Sequence, residues 1–189
     1  MKRDVCGGLI RARVAPATIV MCSLGTANRT WRNQKAPNLT YYASDPMGVA
    51  LPMALGLAWS RPRDQVLLIG GDGDLTMGLG SLLTVASVGV ANLKMILFRN
   101  GRYETGGAQP LPVGEGVSLA AIALAAGWPF AERARDEADA AARLDRFFAA
   151  SGLAFLELPT DVEASPYPPP GESSQAEDRA LFMRALNAR

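Results

Sequence analysis

The sequence predicts an α/β protein with a three-layer αβα architecture and a mostly parallel central sheet. Short apolar segments alternate along the chain with longer segments rich in Ala and Leu, which is the order of strands and helices in such a fold. Several of the short segments are apolar throughout, as expected of strands that helices cover on both faces. The chain has 189 residues, of which 49% are hydrophobic, so it can form one domain with a substantial core.

The individual elements follow from length and composition, because short apolar or aromatic runs favour strands and longer Ala- and Leu-rich runs favour helices. The predicted strands are residues 18–24, 39–42, 65–69, 93–98, 129–133 and 153–158. The predicted helices are residues 47–60, 75–88, 118–126, 136–150 and 176–188. Residues 100–117 are polar and rich in Gly and Pro and are predicted as a loop, and residues 159–172 are Pro-rich.

Local signals define three of the helix boundaries. Arg61 precedes Pro62 and should end the helix at residues 47–60, since the residue before a proline avoids the helical conformation. Gly89 is a plausible stop for the helix at residues 75–88. Ser118 is a candidate N-cap for the helix that follows it.

Composition excludes several classes of function. The sequence contains no histidine, which excludes a histidine-based catalytic triad, zinc site or general base. A net charge of +1 provides no field for nucleic acid, so we expect no such partner. No apolar run approaches the roughly 20 residues of a membrane span, and no signal peptide is evident, so we expect a cytoplasmic protein without membrane contact. Cys6 and Cys22 lack metal-ligand spacing and are predicted as free, buried thiols.

Polar and glycine-rich loops follow two of the predicted strands. Gly70 and Gly71 end the strand at residues 65–69 and lead into Asp72-Gly73-Asp74, whereas Asn100 follows the strand at residues 93–98. In parallel sheets, ligands bind beyond the carboxyl ends of the strands, which is where both loops should lie. Taken alone, residues 72–74 could equally form a helix-capping turn. A calcium EF-hand is excluded because Leu83 stands at the twelfth loop position, where a Glu is required.

The succession of Gly-Asp-Gly, helix, strand and Asn resembles the signature of thiamine-diphosphate-dependent enzymes. A diphosphate needs a hard cation, and Mg²⁺ prefers oxygen ligands from phosphates and from a few protein groups. The resemblance therefore implies that Mg²⁺ is held by the Asp72 carboxylate, the Asn100 amide oxygen and the backbone carbonyl of Arg102. Gly71 and Gly73 would allow close approach of the backbone to the phosphates. A helix beginning near Leu75 would direct free N–H groups toward them.

The resemblance extends upstream to residues 44–56. It implies that Met47 wedges under the cofactor and holds its two rings bent together, and that Asp45 offers a backbone carbonyl to the aminopyrimidine. A core methionine in an apolar helix is the alternative for Met47. Gly25 and Thr26, which follow the first predicted strand, are implied contacts near the diphosphate. A simple helix start is the alternative for these two residues. The implied cofactor-binding residues are Gly25, Thr26, Asp45, Met47, Gly71, Asp72, Gly73, Asp74, Asn100, Arg102 and Tyr103.

Residues 100–110 resemble a stretch of phosphonopyruvate decarboxylases and of the β subunit of sulfopyruvate decarboxylase, which implies a small 2-oxoacid substrate. Tyr103 and Glu104 are the catalytic candidates on this basis, although Glu104 could instead make a loop hydrogen bond. The sequence departs from the family at three positions. Tyr103 stands where the family has His, Arg99 where it has Asn, and Asp74 where Ser or Ala is common.

The same resemblance implies a cofactor-binding domain at residues 1–175, with a C-terminal helix at residues 176–189 packed on it. In this family a Glu that activates the cofactor belongs to a separate pyrimidine-binding domain, so we expect a partner subunit that carries it. The helices at residues 47–59 and 75–88 are apolar on more than one face, which suits a partner, although both could simply be core. Five cations could attract an anionic substrate or could be ordinary surface charges, namely Arg29, Arg32, Lys35, Arg99 and Arg102.

The leading hypothesis is thus the thiamine-diphosphate- and Mg²⁺-binding subunit of a two-subunit 2-oxoacid decarboxylase. A carboligase of the acetolactate-synthase kind would have the same cofactor site. A non-catalytic module with a degenerate site is a third possibility, favoured by Arg99 and Asp74. A dinucleotide-binding domain fits less well, because no Gly-x-Gly-x-x-Gly opens a helix after a first strand.

Overall fold

A computed structural model describes residues 1–44, 46–114, 116–163 and 175–189 of the chain. A sheet of six parallel strands forms the middle layer, in the order β2-β1-β3-β4-β8-β7. These strands are β1 (Ile19–Cys22), β2 (Thr40–Tyr42), β3 (Val66–Gly71), β4 (Leu93–Arg99), β7 (Phe130–Arg133) and β8 (Ala154–Pro159). The predicted strands are thereby confirmed, with ends that move by one or two residues.

Helices cover both faces of this sheet. The helices are α1 (Arg3–Arg11), α2 (Thr26–Gln34), α3 (Ala50–Ser60), α4 (Asp72–Met77), α5 (Ser81–Val88), α6 (Leu119–Ala125), α7 (Glu137–Ala149) and α8 (Gln175–Asn187). Because successive strand residues point to opposite faces, Leu68 packs with α3, α5, α6 and α8, whereas Leu67 and Ile69 pack with α1, α2 and α7. Two apolar layers result, and the predicted three-layer αβα architecture is confirmed.

The caps predicted from sequence are present. Ser118 accepts a hydrogen bond from the backbone N–H of Ala121 at 3.2 Å, as an N-cap does. Gly89 ends α5 in the left-handed conformation with φ of 70°. The helix α3 ends at Ser60, directly before Arg61 and Pro62.

Two local predictions were wrong, and one helix was missed. The helix predicted at residues 75–88 is broken into α4 and α5, and α4 begins at Asp72 rather than near Leu75. Residues 100–117 are not only loop, because β5 (Arg102–Tyr103) and β6 (Gln109–Pro110) form a small antiparallel hairpin around a 3₁₀ turn. The helix α1 was not predicted, whereas α2 begins at Thr26, as the alternative of a helix start at Gly25 and Thr26 expected.

The strand order creates a crevice at one edge of the sheet. After β1 the chain crosses to β2 on one side and then returns to β3 on the other, so the loops that follow β1 and β3 diverge. Such a switch point at the carboxyl ends of parallel strands is the usual ligand site of this architecture. The division of the chain at residues 175 and 176 stays a prediction. Among the described residues, α8 packs on β2, with Phe182 edge-on to Tyr41 at 5.3 Å.

Two predictions concern residues outside the described ranges, namely Asp45 and most of the Pro-rich stretch at residues 159–172. Within those ranges, no helix combines the length and apolar character that crossing a bilayer requires.

Candidate functional site

Asp72 connects the loops that follow β3 and β4. One carboxylate oxygen accepts a hydrogen bond from the N–H of Gly73 at 2.9 Å, and the other accepts from the N–H of Gly101 at 2.7 Å. The side chain is buried, and burial raises its pKa above the usual aspartate value, although the N–H of Gly101 and the charge of Arg99 oppose this rise. A buried carboxylate with raised pKa is a group that gains from a nearby cation.

Asn100 begins the turn against which Asp72 lies. Its side-chain nitrogen donates to Oε2 of Glu104 at 2.5 Å, and its side-chain oxygen accepts from the backbone N–H of Arg102 at 2.9 Å. Glu104 is thus hydrogen-bonded within the loop, as one of the two sequence interpretations expected. Its other oxygen, Oε1, is buried without a hydrogen-bond partner in the described part of the chain.

Asp74 does not lie free beside the glycines of this loop. Its Oδ1 accepts from the backbone N–H of Gly48 at 2.7 Å, which ties the start of α4 to the turn before α3. Burial raises the pKa of Asp74, and the hydrogen bond from Gly48 opposes that rise. Met47 belongs to this same turn and precedes α3, which starts at Ala50. The prediction that Met47 lies within this helix was therefore wrong.

The predicted site residues come together in one cleft at the carboxyl ends of β1, β3 and β4. Leu24, Phe98 and Thr105 also line it. The predicted residues that line it are Gly25, Thr26, Met47, Gly71, Asp72, Gly73, Asp74, Asn100, Arg102, Tyr103 and Glu104. Every predicted residue except Asp45, which is outside the described ranges, therefore has a place in this cleft.

The cleft leaves little space beside the Cα atom of Gly73 and more space beside that of Gly71. A Cβ at Gly73 would lie 2.9 Å from the ring of Tyr103 and 3.3 Å from Cε of Met47, whereas a Cβ at Gly71 would meet nothing within 4 Å. Gly25 has φ of 79°, and a Cβ there would lie 3.1 Å from Thr105. Glycines at these positions keep the cleft open and let the backbone form its wall.

The five cations noted in the sequence do not form one group. Arg32 pairs with Asp178 at 2.6 Å and stacks on the Tyr42 ring. Arg99 is buried, with Nε 3.4 Å from Glu157 and Nη2 3.2 Å from the carbonyl of Gly114. Among the others, the side chain of Arg102 donates to the carbonyl of Ala108 at 3.0 Å. Only some of these cations therefore lie where a substrate could meet them.

The metal-ligand atoms that line the cleft suit a diphosphate with its magnesium ion. The described residues contain no cluster of three His, Cys, Asp or Glu side chains suited to a metal. The implied site needs none, because it uses one carboxylate, one amide and one carbonyl, and the phosphates complete the shell. The buried, unpartnered oxygen of Glu104 can accept from a donor or contact a cation, and glycines line the wall of the cleft without side chains.

Two residues of this region were missed from the sequence. Ser23 accepts a hydrogen bond from the N–H of Gly71 at 3.1 Å and so connects β1 to the loop after β3. Arg3 forms an ion pair with Glu104 at 2.6 Å, with both side chains almost fully buried. No motif marks either residue, since each meets its partner only through the fold.

Known proteins are similar to this chain in sequence. Residues 20–158 match the family described as thiamine pyrophosphate enzyme, C-terminal TPP binding domain. Phosphonopyruvate decarboxylase of Streptomyces hygroscopicus is 30% identical over 148 residues, which are 78% of this chain and 36% of that protein. Sulfopyruvate decarboxylase subunit beta of Methanothermobacter thermautotrophicus is 36% identical over 91 residues, which are 48% of this chain and 49% of that subunit. The chain thus spans between a third and a half of these relatives.

Solved structures share the fold at low sequence identity. Benzoylformate decarboxylase from Polynucleobacter necessarius superposes with a TM-score of 0.76 at 16% identity, over 88% of this chain and 34% of that one. The 4-hydroxybenzoylformate decarboxylase of Rhodococcus jostii gives 0.71 at 22% identity, over 87% of this chain and 33% of that one. The family match covers most of the chain and confirms the resemblance found in the sequence. The chain therefore belongs to the thiamine pyrophosphate enzymes, to the family of their C-terminal, TPP-binding domains.

Proposed function

We propose that this chain is the thiamine-diphosphate- and Mg²⁺-binding subunit of a two-subunit 2-oxoacid decarboxylase. The observation that carries the proposal is the contact between two loops distant in sequence. The Asp72 carboxylate, at the end of β3, accepts the N–H of Gly101 at 2.7 Å, directly beside Asn100 at the end of β4. A carboxylate and an amide side chain on adjoining loops of one glycine-lined cleft suit a magnesium-bound diphosphate.

Each of the predicted site residues has a role in this proposal. Asp72 and Asn100 hold Mg²⁺ through side-chain oxygens, and Arg102 does so through its backbone carbonyl. Met47 supports the bent cofactor, and the backbone carbonyl of Asp45 accepts from its aminopyrimidine. The remaining residues that contact the cofactor are Gly25, Thr26, Gly71, Gly73, Asp74 and Tyr103.

The carboxylates that line the cleft are consistent with a partner subunit that supplies the activating Glu. Among the described residues these are Asp72, Asp74 and Glu104, and each one is held by hydrogen bonds within the chain. Because these hydrogen bonds hold Asp72, Asp74 and one oxygen of Glu104 in place, we assign activation of the pyrimidine ring to a Glu of a pyrimidine-binding-domain subunit. Bound thiamine diphosphate supplies the electron sink for loss of the carboxylate. Tyr103 and Glu104 are the residues of this chain that we assign to contact with substrate.

The substrate class rests on the relatives, which are named as phosphonopyruvate and sulfopyruvate decarboxylases. We therefore propose a small 2-oxoacid with a second anionic group. Arg29 lines a cavity that continues the cleft past Gly25 and Met47, and its charge suits such a substrate. A carboligase would share the cofactor site, and product analysis separates the two reactions, because decarboxylation gives an aldehyde and carboligation gives a longer hydroxyketone.

Arg99 and Asp74, the two residues that favoured a non-catalytic module, both have hydrogen-bond or ion-pair partners within the chain. Arg99 turns to Glu157 at 3.4 Å, and Asp74 holds Gly48 at 2.7 Å. Arg99 is therefore paired with a carboxylate, and one oxygen of Asp74 is held by a backbone N–H. This weakens the case for a degenerate site.

Titration calorimetry with thiamine diphosphate tests the proposal, with and without Mg²⁺ and with and without the partner subunit. We expect binding only with Mg²⁺, and we expect Asp72→Ala to weaken it about 100-fold or more, because a direct metal ligand is lost. Asp64→Ala is the matched control, since Asp64 lies outside the cleft and forms an ion pair with Arg61 at 2.8 Å. Absence of heat under every condition, or retention of full affinity in Asp72→Ala, would refute the proposal.

A further inference from the structure

A buried ion pair links the first helix to the cleft. Arg3 starts α1, and its Nη1 lies 2.6 Å from Oε2 of Glu104, with only 7% and 9% of the two side chains exposed. The same Oε2 accepts the side-chain N–H of Asn100 at 2.5 Å. Three side chains thus form one chain of contacts from α1 to the proposed magnesium ligand.

Arg3 is held from its other side as well. Its backbone N–H donates to Glu163 at 3.1 Å, its Nε lies 3.7 Å from the same carboxylate, and its guanidinium lies 3.5 Å from the carbonyls of Asp161 and Glu163. The guanidinium is therefore fixed between the segment after β8 and the cleft. A fixed cation gives Glu104 one defined position.

Glu104 and the backbone N–H of Arg102 together fix which atom of Asn100 is available to a metal. An amide has one face that donates and one that accepts, and its orientation depends on its hydrogen-bond partners. Glu104 is paired with Arg3 and accepts from the side-chain nitrogen of Asn100, so the side-chain oxygen is turned away from Glu104 and accepts from the backbone N–H of Arg102. Mg²⁺ binds oxygen and not the amide nitrogen, so this orientation is the one that a magnesium ligand needs.

We propose that Arg3 is a positioning residue for the magnesium site, acting through Glu104 to orient the amide of Asn100. This inference rests on the proposed function, because it presupposes that Asn100 binds Mg²⁺. Arg3 touches neither metal nor cofactor in this arrangement. Its contribution to the affinity for Mg²⁺ is therefore indirect.

The test is the dissociation constant of Mg²⁺, measured by calorimetry at saturating thiamine diphosphate on the full chain, with its partner where binding requires it. We expect Arg3→Ala to raise this constant about 10-fold or more, as for loss of a group that orients a metal ligand. Arg3→Lys retains the charge and a donor and should recover most of the loss. If Arg3→Ala does not fold, Arg3→Gln, which lacks the charge, is measured instead, with the same expectation.

Arg13→Ala is the matched control, since Arg13 pairs with Asp145 at 2.7 Å just beyond the other end of α1. It should leave the Mg²⁺ constant unchanged. If Arg3 acts through Glu104, the double variant Arg3→Ala, Glu104→Gln should bind Mg²⁺ no more weakly than the weaker single variant. Equal constants for wild type, Arg3→Ala and Arg13→Ala would overturn the inference and leave the proposed function standing. Wild-type protein that binds no cofactor with Mg²⁺ would instead overturn the proposed function, and this inference with it.

Discussion

Gly73 shows how one hydrogen atom in place of a methyl group can keep the cleft open. A Cβ at this position would lie 2.9 Å from the Tyr103 ring and 3.3 Å from Cε of Met47, so both side chains must shift. We expect Gly73→Ala to weaken Mg²⁺-dependent binding of thiamine diphosphate about 10-fold and to cost about 1–3 kcal/mol of stability. Calorimetry and urea unfolding measure the two effects.

Gly56→Ala is the control for Gly73→Ala, since a Cβ at Gly56 in α3 meets nothing within 4 Å. It should stabilise the isolated chain by about 0.5–1 kcal/mol and leave cofactor affinity unchanged. Wild-type affinity in Gly73→Ala would mean that the cofactor does not use this part of the cleft.

The two cysteines give a pH dependence of stability whose direction follows from burial. Both thiols are free and buried, as predicted from the sequence. Burial raises the pKa of Cys6 from 9.0 to about 11 and raises the pKa of Cys22 well above 9.0. Between about pH 9 and pH 11 the folded chain thus binds more protons than the unfolded chain, so stability falls as the pH rises through this window.

Between pH 8.5 and about pH 10.5, we expect the free energy of unfolding in urea to drop by about 1.5–2 kcal/mol from Cys6 alone and further from Cys22. A variant with both Cys6→Ala and Cys22→Ala should lose much of this decline. In the native protein at pH 8 neither thiol should react with a disulfide reagent, and both should react after unfolding. Rapid reaction of a native thiol would contradict the burial of these residues.

Site residues could be predicted where a loop motif carries them and not where a long-range contact does. Asp72 and Asn100 follow apolar strands and have a recognisable spacing, so their meeting in one cleft was expected. Arg3 and Ser23 lie 101 and 48 positions from the groups they bind in the cleft. A sequence pattern contains no information about pairs so far apart, so only the folded chain shows them.

At the level of elements, one close backbone contact explains why the predicted helix at residues 75–88 is broken. Gly78 lies between α4 and α5, and a Cβ there would lie 2.2 Å from the carbonyl oxygen of Gly48. The turn before α3 thus packs directly on the break, and Asp74 adds its hydrogen bond to Gly48. Gly78→Ala should cost about 2–3 kcal/mol, because backbone rather than a flexible side chain must move.

The neighbouring Gly80 provides a matched comparison two positions away. It has helical angles, with φ of −59°, and a Cβ there meets nothing within 4 Å. Gly80→Ala should therefore be neutral or stabilise the chain by about 0.5 kcal/mol. Thermal or urea unfolding of the two variants tests this contrast. Equal stability of both would argue against the packing of the turn on the break.

The elements that were predicted and those that were missed differ in how much local signal they contain. The strands β3, β4 and β8 are six or seven residues long and almost wholly buried, so their apolar runs identify them. The helix α1 contains Gly7 and Gly8, which lower helix propensity, and the strands β5 and β6 have two residues each. Elements of this kind depend on tertiary packing, which explains why periodicity does not reveal them.

At the scale of the whole molecule, apolar residues remain exposed beside the cleft. Met77 is 55% exposed and Leu83 is 61% exposed, and both belong to the helices that follow the proposed magnesium loop. A shallow groove lies next to them, between α3 and the break before α5, and Pro52 and Leu55 line it. Exposed apolar patches of this kind are typical of surfaces that another protein covers.

We therefore expect the partner subunit to cover α5, and Leu83→Lys to prevent assembly because it places a charge in that contact. The isolated variant should unfold within about 0.5 kcal/mol of wild type, since Leu83 is exposed. Leu181→Lys on α8 is the matched control, because Leu181 is 56% exposed and on another helix. Size-exclusion chromatography with the partner measures assembly, and carbon dioxide release from a 2-oxoacid measures activity. Assembly that survives Leu83→Lys, or is lost equally in Leu181→Lys, would place the partner on a different face of the chain.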